Sequence, residues 1–468
     1  MNTPRLGLVS EAVWAPRVQS RPGYRRDGAP GVVHLGLGAF HRAHQAMVFD
    51  RLLASGDGRW GVHGVGMTQA ALVDALRAQD GLYAVRVADA RGSHWQVPGA
   101  LWKLSVATTE REAVVQAIAA PATRWVTITV TEKGYTPALA QLLLDGLRLR
   151  RQHQLPGLTI ASCDNLQANG RKLQALVLAE TNDAALRDWL EAQCAFPCSM
   201  VDRIVPATSD AVRTDANSAL GVQDPSALAV EAFWEWVIED RFADPTDAAL
   251  LAAQGVRVTS EVHVYEDAKL RMLNGSHTAM ALIGAVTGRP FIAECIGVPH
   301  IRRFVDRLMT QEVAPHLQRS DWADYRDALI ERFANPHLRH SVHQIATDSS
   351  LKIPLRWVPS IEAQLARGGS VEHHALAAAV WLRHGLAVDD LGQPTPVNDP
   401  QARWLLDNAA DQRNTPARSL QALLARTDFW GSTLPRHEHW QQRVAHWHRV
   451  VLDHGVDRAI EQLLNTAP

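Results

Sequence analysis

Val32-Val-His-Leu-Gly36-Leu-Gly38-Ala39-Phe40-His41-Arg42 decides how the first half of this chain is read. An apolar run ends in two glycines one residue apart, and a helical pattern through Met47 and Leu53 follows. A strand, a glycine turn and a helix in that order give a dinucleotide fingerprint its physical meaning. The glycines allow a tight turn and close approach of a pyrophosphate, and the helix N-terminus offers N–H donors and positive dipole. The third glycine of the usual pattern is missing, because His41 stands there. Gly36, Gly38, Ala39, Phe40, His41 and Arg42 are therefore candidate cofactor residues. A plain strand–helix turn with exposed first-turn residues is the other reading of the same stretch.

Trp60-Gly-Val-His-Gly-Val65 reads as a second strand, with a helix over 70–78. Trp125-Val-Thr-Ile-Thr-Val130 is apolar and β-branched on both faces, as a buried parallel strand should be. Leu158-Thr-Ile-Ala-Ser162 is another, ending at Cys163-Asp164-Asn165. Strands alternating with helices predict a doubly wound parallel sheet, with an antiparallel excursion over 82–88 and 95–97. Beyond about residue 265 helical patterns dominate: 269–287, 299–313, 321–334, 358–366, 372–384, 401–409, 418–425, 436–453 and 456–465. The fold class is α/β: an N-terminal Rossmann-type doubly wound domain over 1–260 and a mainly α-helical C-terminal domain over 261–468.

With 468 residues the chain can bury a large core in two or three domains. A net charge of -2 without blocks of like charge argues against nucleic acid or an anionic membrane surface as partner. No apolar run approaches the roughly 20 residues of a bilayer span. The N-terminus lacks the pattern of a signal peptide, so the expected location is the cytoplasm. Four cysteines, at 163, 194, 198 and 295, make neither a disulfide framework nor a zinc pattern.

The second informative stretch is Glu266-Asp-Ala-Lys269-Leu-Arg-Met-Leu-Asn274-Gly-Ser-His277. At 100° per residue, with Lys269 as zero, Glu266 falls at about 60°, His277 at about 80° and Asn274 at about 140°. Leu273, Met280 and Gly284 fall at about 40°, 20° and 60°. A carboxylate, an amine, an amide and an imidazole thus share the arc that should face the core. Such groups are costly to bury unless they satisfy one another or meet a substrate. The bland reading puts Lys269 at an exposed helix start and leaves His277 as a satisfied core residue.

Other polar clusters fall at strand ends or in breaks between elements. Thr131-Glu132-Lys133 and Asp164-Asn165 follow strands, where ligands of doubly wound sheets bind. Asp202-Arg203 is a substrate contact or a structural ion pair. The second strand ends Val65-Gly66-Met67-Thr68-Gln69 without the acid that reads an adenine ribose, so NAD is not distinguished from NADP. His337, His340 and His343, spaced by three, make a remote candidate for a metal face. Thr347-Asp348-Ser-Ser-Leu-Lys352-Ile-Pro354-Leu-Arg356 reads as a polar loop whose cations can hold hydroxyls or a carboxylate.

Taken in order, five stretches resemble the mannitol dehydrogenase family, the long-chain polyol-specific dehydrogenases and reductases. They are Val33-His-Leu-Gly-Leu-Gly-Ala-Phe-His-Arg-Ala-His44, Thr129-Val-Thr-Glu-Lys-Gly-Tyr135, Ser162-Cys-Asp-Asn165, Met200-Val-Asp-Arg203 and Lys269-Leu-Arg-Met-Leu-Asn-Gly-Ser-His277. The resemblance implies a cleft between two domains, a nicotinamide cofactor (NAD, with NADP still open), no metal and a monomer. It implies Lys269 as general acid/base, Asn165 and Asn274 as stabilisers of a developing alkoxide, and His277 as the residue orienting the reacting oxygen. Glu266 is implied as a proton relay, and Asp202 and Lys352 as substrate contacts. Family members act on mannitol and fructose, on arabinitol, or on hexuronates. His343-Gln344-Ile-Ala-Thr-Asp-Ser-Ser-Leu-Lys352 is similar to the Trp-Gln-Ile-Ala-x-Asp-Gly-Ser-x-Lys run of fructuronate reductases, with His343 and Ser349 departing from it. The expected substrate pair is D-fructuronate and D-mannonate, with mannitol or arabinitol oxidation next. A metal-dependent enzyme on the three histidines and a noncatalytic dinucleotide-binding module are the remote alternatives.

Overall fold

The computed structural model describes residues 3–337, 339–410 and 415–465. The chain forms two compact units, Met1–His263 and Val264–Pro468.

The strands of the first unit are β1 (Val32–Leu35), β2 (Val62–Gly66), β3 (Val85–Asp89), β4 (Gly92–Gln96), β5 (Leu101–Val106), β6 (Trp125–Ile128), β7 (Thr159–Ser162), β8 (Ser199–Asp202), β9 (Leu228–Glu231), β10 (Glu235–Glu239) and β11 (Arg257–Thr259). Five of them form a parallel sheet in the order β5-β2-β1-β6-β7. In β1, Leu35 stands beside Val65 on one side and Ile128 on the other. Side chains on both faces of the central strands are buried, as a sheet covered by helices on both sides requires. The chain runs outward from β1 to β2 and β5, then crosses back for β6 and β7. Strand order therefore reverses between β1 and β6, and ligands of such sheets bind outside the carboxyl ends at that reversal.

The excursion pairs β3 with β4 in antiparallel register, as expected, and β3 also takes β9 as a parallel neighbour. β8 and β10 pair antiparallel, with β11 parallel to β10. The sequence reading does not place β8, β9 or β10. Segments of four or five residues carry too few alternations to display a period.

In the second unit two sequence readings are corrected. The helix bearing Lys269 starts at Val262 rather than at 269, because Val262, Val264 and Ala268 already face the core. Residues 349–356 are not loop but the helix Ser349–Arg356, entered through Asp348 at φ 57. Among the described residues no helix is long and apolar enough to cross a membrane.

Glu312 is fully buried. It accepts the backbone N–H groups of His373 (2.7 Å) and His374 (3.0 Å) and their ring Nδ1 donors (2.9 and 2.7 Å). One carboxylate thus caps the start of the helix Glu372–His384, whose first N–H groups have no partner in the helix itself. Burial pushes the Glu312 pKa up, but His373 and His374 more than offset it and hold the group at about 2. A depressed carboxyl contributes stability that is full above its unfolded pKa and is lost as pH falls through the folded one. Glu312→Ala is expected to destabilise the second unit by about 3 kcal/mol or more near neutral pH, since several buried donors lose their acceptor. Denaturant melts of wild type and variant from pH 6 down to 3 check this. The gap between them should narrow below about pH 4.5.

Candidate active-site elements

A cavity of about 990 Å³ opens at the carboxyl ends of β1, β2, β5 and β6. Gly36, Gly38, Ala39 and Phe40 line one wall, and Thr131 and Glu132 another. Gly36 sits at φ 98, and a Cβ there would stand 2.1 Å from the Thr129 carbonyl oxygen. Gly38 is different: its backbone is extended, and a Cβ there would meet nothing nearer than 3.6 Å. Packing therefore does not demand glycine at 38. The open space above it suits the backbone approach of a pyrophosphate, so the residues present fit a dinucleotide.

The turn is braced from behind by residues the sequence reading passed over. His34 bridges Thr127 Oγ1 (2.9 Å) and Thr129 Oγ1 (3.0 Å), and the Thr129 hydroxyl donates to the Gly36 carbonyl (3.0 Å). Burial pushes the His34 imidazole down to about 3, so the bridge is neutral. His41 stacks on His34 with centroids 3.4 Å apart. Two cofactor assignments are corrected here. His41 is fully buried in that stack, and its imidazole is held well below its usual pKa by burial and by His34. Arg42 turns inward to the carbonyls of Gly38 (3.2 Å) and Ser226 (2.5 Å), with Tyr83 beneath its guanidinium. Neither lines the cavity.

Asp164 accepts the N–H groups of Val130 (3.1 Å) and Thr131 (2.8 Å) and the Tyr135 hydroxyl (3.2 Å). It thereby holds Thr131 at φ 63, an uncommon conformation for a non-glycine residue. Asn165 follows on the cavity wall and is exposed in this unit. Arg111 also lines the cavity and was not singled out from sequence. Its signal was available only as a cation just after β5. Asp202 ends β8 and is buried, whereas Arg203 donates to the carbonyls of Glu231 (3.0 Å) and Ala43 (2.6 Å).

The helical run from Val262 to Thr287 changes pitch. Residues Lys269–Asn274 form a π-helical turn with i→i+5 bonding, a feature often found at functional sites. The 100° spacing assumed from sequence fails across this turn. Even so, Lys269 is only 8% exposed and His277 6%, while Glu266 and Asn274 are partly buried. The His277 Nε2 atom is buried without a hydrogen-bond partner, and its ring packs against Phe333 and edge-on against His340 at 4.7 Å. Burial, then His340, Arg356, Arg332 and Lys352, hold this imidazole neutral.

Arg356 donates through Nη1 to the Asn274 carbonyl (3.2 Å) and to Thr278 Oγ1 (2.7 Å), so it pins the end of the π turn. Burial lowers its pKa to about 10. Lys352, one helical turn earlier, donates Nζ to the carbonyls of Ile345 (3.0 Å) and Thr347, closing the helix Val342–Ala346. Burial and Arg356 lower its pKa to about 8. Gln344 is exposed on that short helix. The three histidines do not assemble. His340 belongs with His277 and His337 is exposed, and among the described residues no group of three His, Cys, Asp or Glu stands where it could hold a metal.

Residues 30–248 match the mannitol dehydrogenase Rossmann domain, and residues 261–451 match the mannitol dehydrogenase C-terminal domain. The chain is 36% identical to the D-mannonate oxidoreductase of Escherichia coli K12, over 92% of this chain and 95% of that one. It is 35% identical to the mannitol 2-dehydrogenase of Cereibacter sphaeroides, over 89% and 92%. The Pseudomonas fluorescens mannitol 2-dehydrogenase, solved as a ternary complex with NAD and D-mannitol, superposes with a TM-score of 0.86 at 30% identity, covering 99% of this chain and all of that one. With both domains matched in order and along nearly the whole length, this chain belongs to the mannitol dehydrogenase family of oxidoreductases.

Proposed function

We propose that the protein reduces D-fructuronate to D-mannonate with a nicotinamide dinucleotide as hydride source, and catalyses the reverse oxidation. One observation carries the choice of a sugar acid. Lys352 and Arg356 are like charges four residues apart on one helix, an arrangement that is unfavourable by itself. Among the described residues no carboxylate forms an ion pair with either, and the attraction of Asp348 and Asp399 for Lys352 is outweighed by burial and Arg356. Lys352 has given two of its three donors to carbonyls, and Arg356 has committed only Nη1. The remaining donors suit a substrate carboxylate, which neutral polyols lack. The similarity to a D-mannonate oxidoreductase supports the same reading, and the equal similarity to mannitol 2-dehydrogenases makes fructose reduction the alternative.

When bound, the dinucleotide supplies the hydride that adds to the ketone carbon. In this reading the amides of Asn274 and Asn165 donate to the carbonyl oxygen as negative charge grows on it. The Asn274 backbone is already held by Arg356. Neutral His277 orients the same oxygen through its uncommitted Nε2. Lys269 Nζ gives up the proton that completes the alcohol, and Glu266 passes a proton from solvent to restore it. Asp202 is proposed to contact the substrate, and Gln344 to join Lys352 and Arg356 in holding its carboxylate. In oxidation each transfer runs backwards, with neutral Lys269 as the base.

Purified protein should oxidise NADH or NADPH with D-fructuronate at a kcat/KM roughly 100-fold or more above that with D-fructose. Faster turnover of fructose would make mannitol and fructose the substrate pair and end the sugar-acid reading. Lys269→Ala should retain cofactor binding while turnover falls roughly 100-fold or more, and undiminished turnover would remove Lys269 from the mechanism. The Lys352 charge is present below its pKa of about 8 and lost above it. KM for fructuronate should therefore climb as pH rises through 8, and Lys352→Arg should flatten that climb. Incubation with a chelator should leave activity unchanged, and a loss that metal restores would reopen the histidine alternative.

A further inference from the structure

The cavity of the first unit is not uniform in charge. Its carboxylates, Glu132 and Asp164, belong to the segments that follow β6 and β7. The opposite edge, beyond β2 and β5, is lined by Met67, Thr68, Gln69, Ala107, Thr108 and Arg111 and carries no acid. β2 and β5 are parallel neighbours in register at Gly66 and Val106, and Ala107 N–H donates to the Gly66 carbonyl (2.8 Å). The two strand ends therefore place these six residues side by side. Two acids flank Arg111 in sequence: Glu110 is taken by Arg77 (2.6 Å) and by the Val106 N–H (2.7 Å), Glu112 accepts from Gln116 Nε2 (2.8 Å), and neither lines the cavity. Arg111 pairs with Asp145 at 2.6 Å, but both side chains are about half or one-third exposed (48% and 33%), and such surface pairs hold a cation weakly.

In dinucleotide folds an acid at the end of the second strand binds the adenine ribose 2′-hydroxyl and repels a phosphate there, while a nearby arginine accepts the phosphate. We infer that this edge takes a 2′-phosphorylated dinucleotide, with Arg111 as the phosphate ligand and Thr68 and Gln69 as neutral donors. The chain then binds NADP(H) as well as NAD(H). This rests on the dinucleotide reading of the cavity proposed above, and adds to it the identity of the group at the ribose.

The test is direct binding of NADH and of NADPH to the full chain without sugar, followed by energy transfer from tryptophan to the reduced nicotinamide. The Kd for NADPH should lie within about tenfold of that for NADH or below it. Arg111→Ala should weaken NADPH by about tenfold or more while changing NADH less than about threefold, as loss of a charge-assisted contact predicts. Gln69→Asp should weaken NADPH by about tenfold or more and leave NADH bound. NADPH bound more than about tenfold more weakly than NADH by the wild type overturns the inference, as does an Arg111→Ala variant that weakens both alike. Binding of neither nucleotide removes the dinucleotide reading itself, whereas binding of NADH alone removes only this proposal.

Discussion

The backbone of β1 and the carbonyl of Thr129, just past β6, come so close that residue 36 has no room for a side chain. Much of the first unit follows from that approach. Strand order reverses there, so no crossover helix fills the space outside the two strand ends. His34 ties the strands together through two threonine hydroxyls, and His41 covers it. Asp164 fixes the neighbouring turn by taking two backbone N–H groups. The cavity wall is thus built from backbone and short side chains held from behind, which favours a preorganised surface over one that rearranges on binding.

The second unit meets its demands differently. Its central helix buries an amine and an imidazole instead of shielding them, and a π turn adds a residue where they lie. A guanidinium and an ammonium stand together on the helix Ser349–Arg356, and the first of them grips the Asn274 carbonyl. The His277 Nε2 atom, buried without a hydrogen-bond partner, carries a desolvation cost that folding alone does not recover. That cost is the physical reason to look for an anionic, hydroxyl-rich ligand, and it falls on a residue that the family resemblance assigns to catalysis. The Glu312 cap is the contrast in the same unit. It too is a buried charge, but four donors surround it, so it reads as architecture rather than as a site.

Much of this was legible in the chain itself. Gly36 and Gly38 after an apolar run, the β-branched Trp125 segment and the loss of strand signals beyond about residue 265 give a parallel sheet followed by helices, because hydrophobic period and glycine conformation are local properties. Lys269, Asn274 and His277 stood out in the sequence for the same reason, as polar residues interrupting an apolar helical pattern, although the arc drawn at 100° per residue does not hold across the π turn. The short strands β8 to β10 were not legible, since their stability comes from partners distant in sequence.

Sequence by itself determined the fold class, since hydrophobic period and glycine placement depend on residue type and near-neighbour spacing. Only the tertiary structure decided how the polar candidate residues are used. His41 and Arg42 sit in the right motif yet face inward, because a buried histidine stack and two carbonyls claim them first. Lys352 and Arg356 read as loop cations yet lie on a helix, where burial lowers both pKa values and Arg356 holds the π turn. Arg111 gains meaning only from the register of β2 against β5, which sets a surface cation, held by an exposed ion pair with Asp145, beside an acid-free strand end. The direction of a side chain is settled by competition among contacts far apart in the chain, and local pattern does not record that competition.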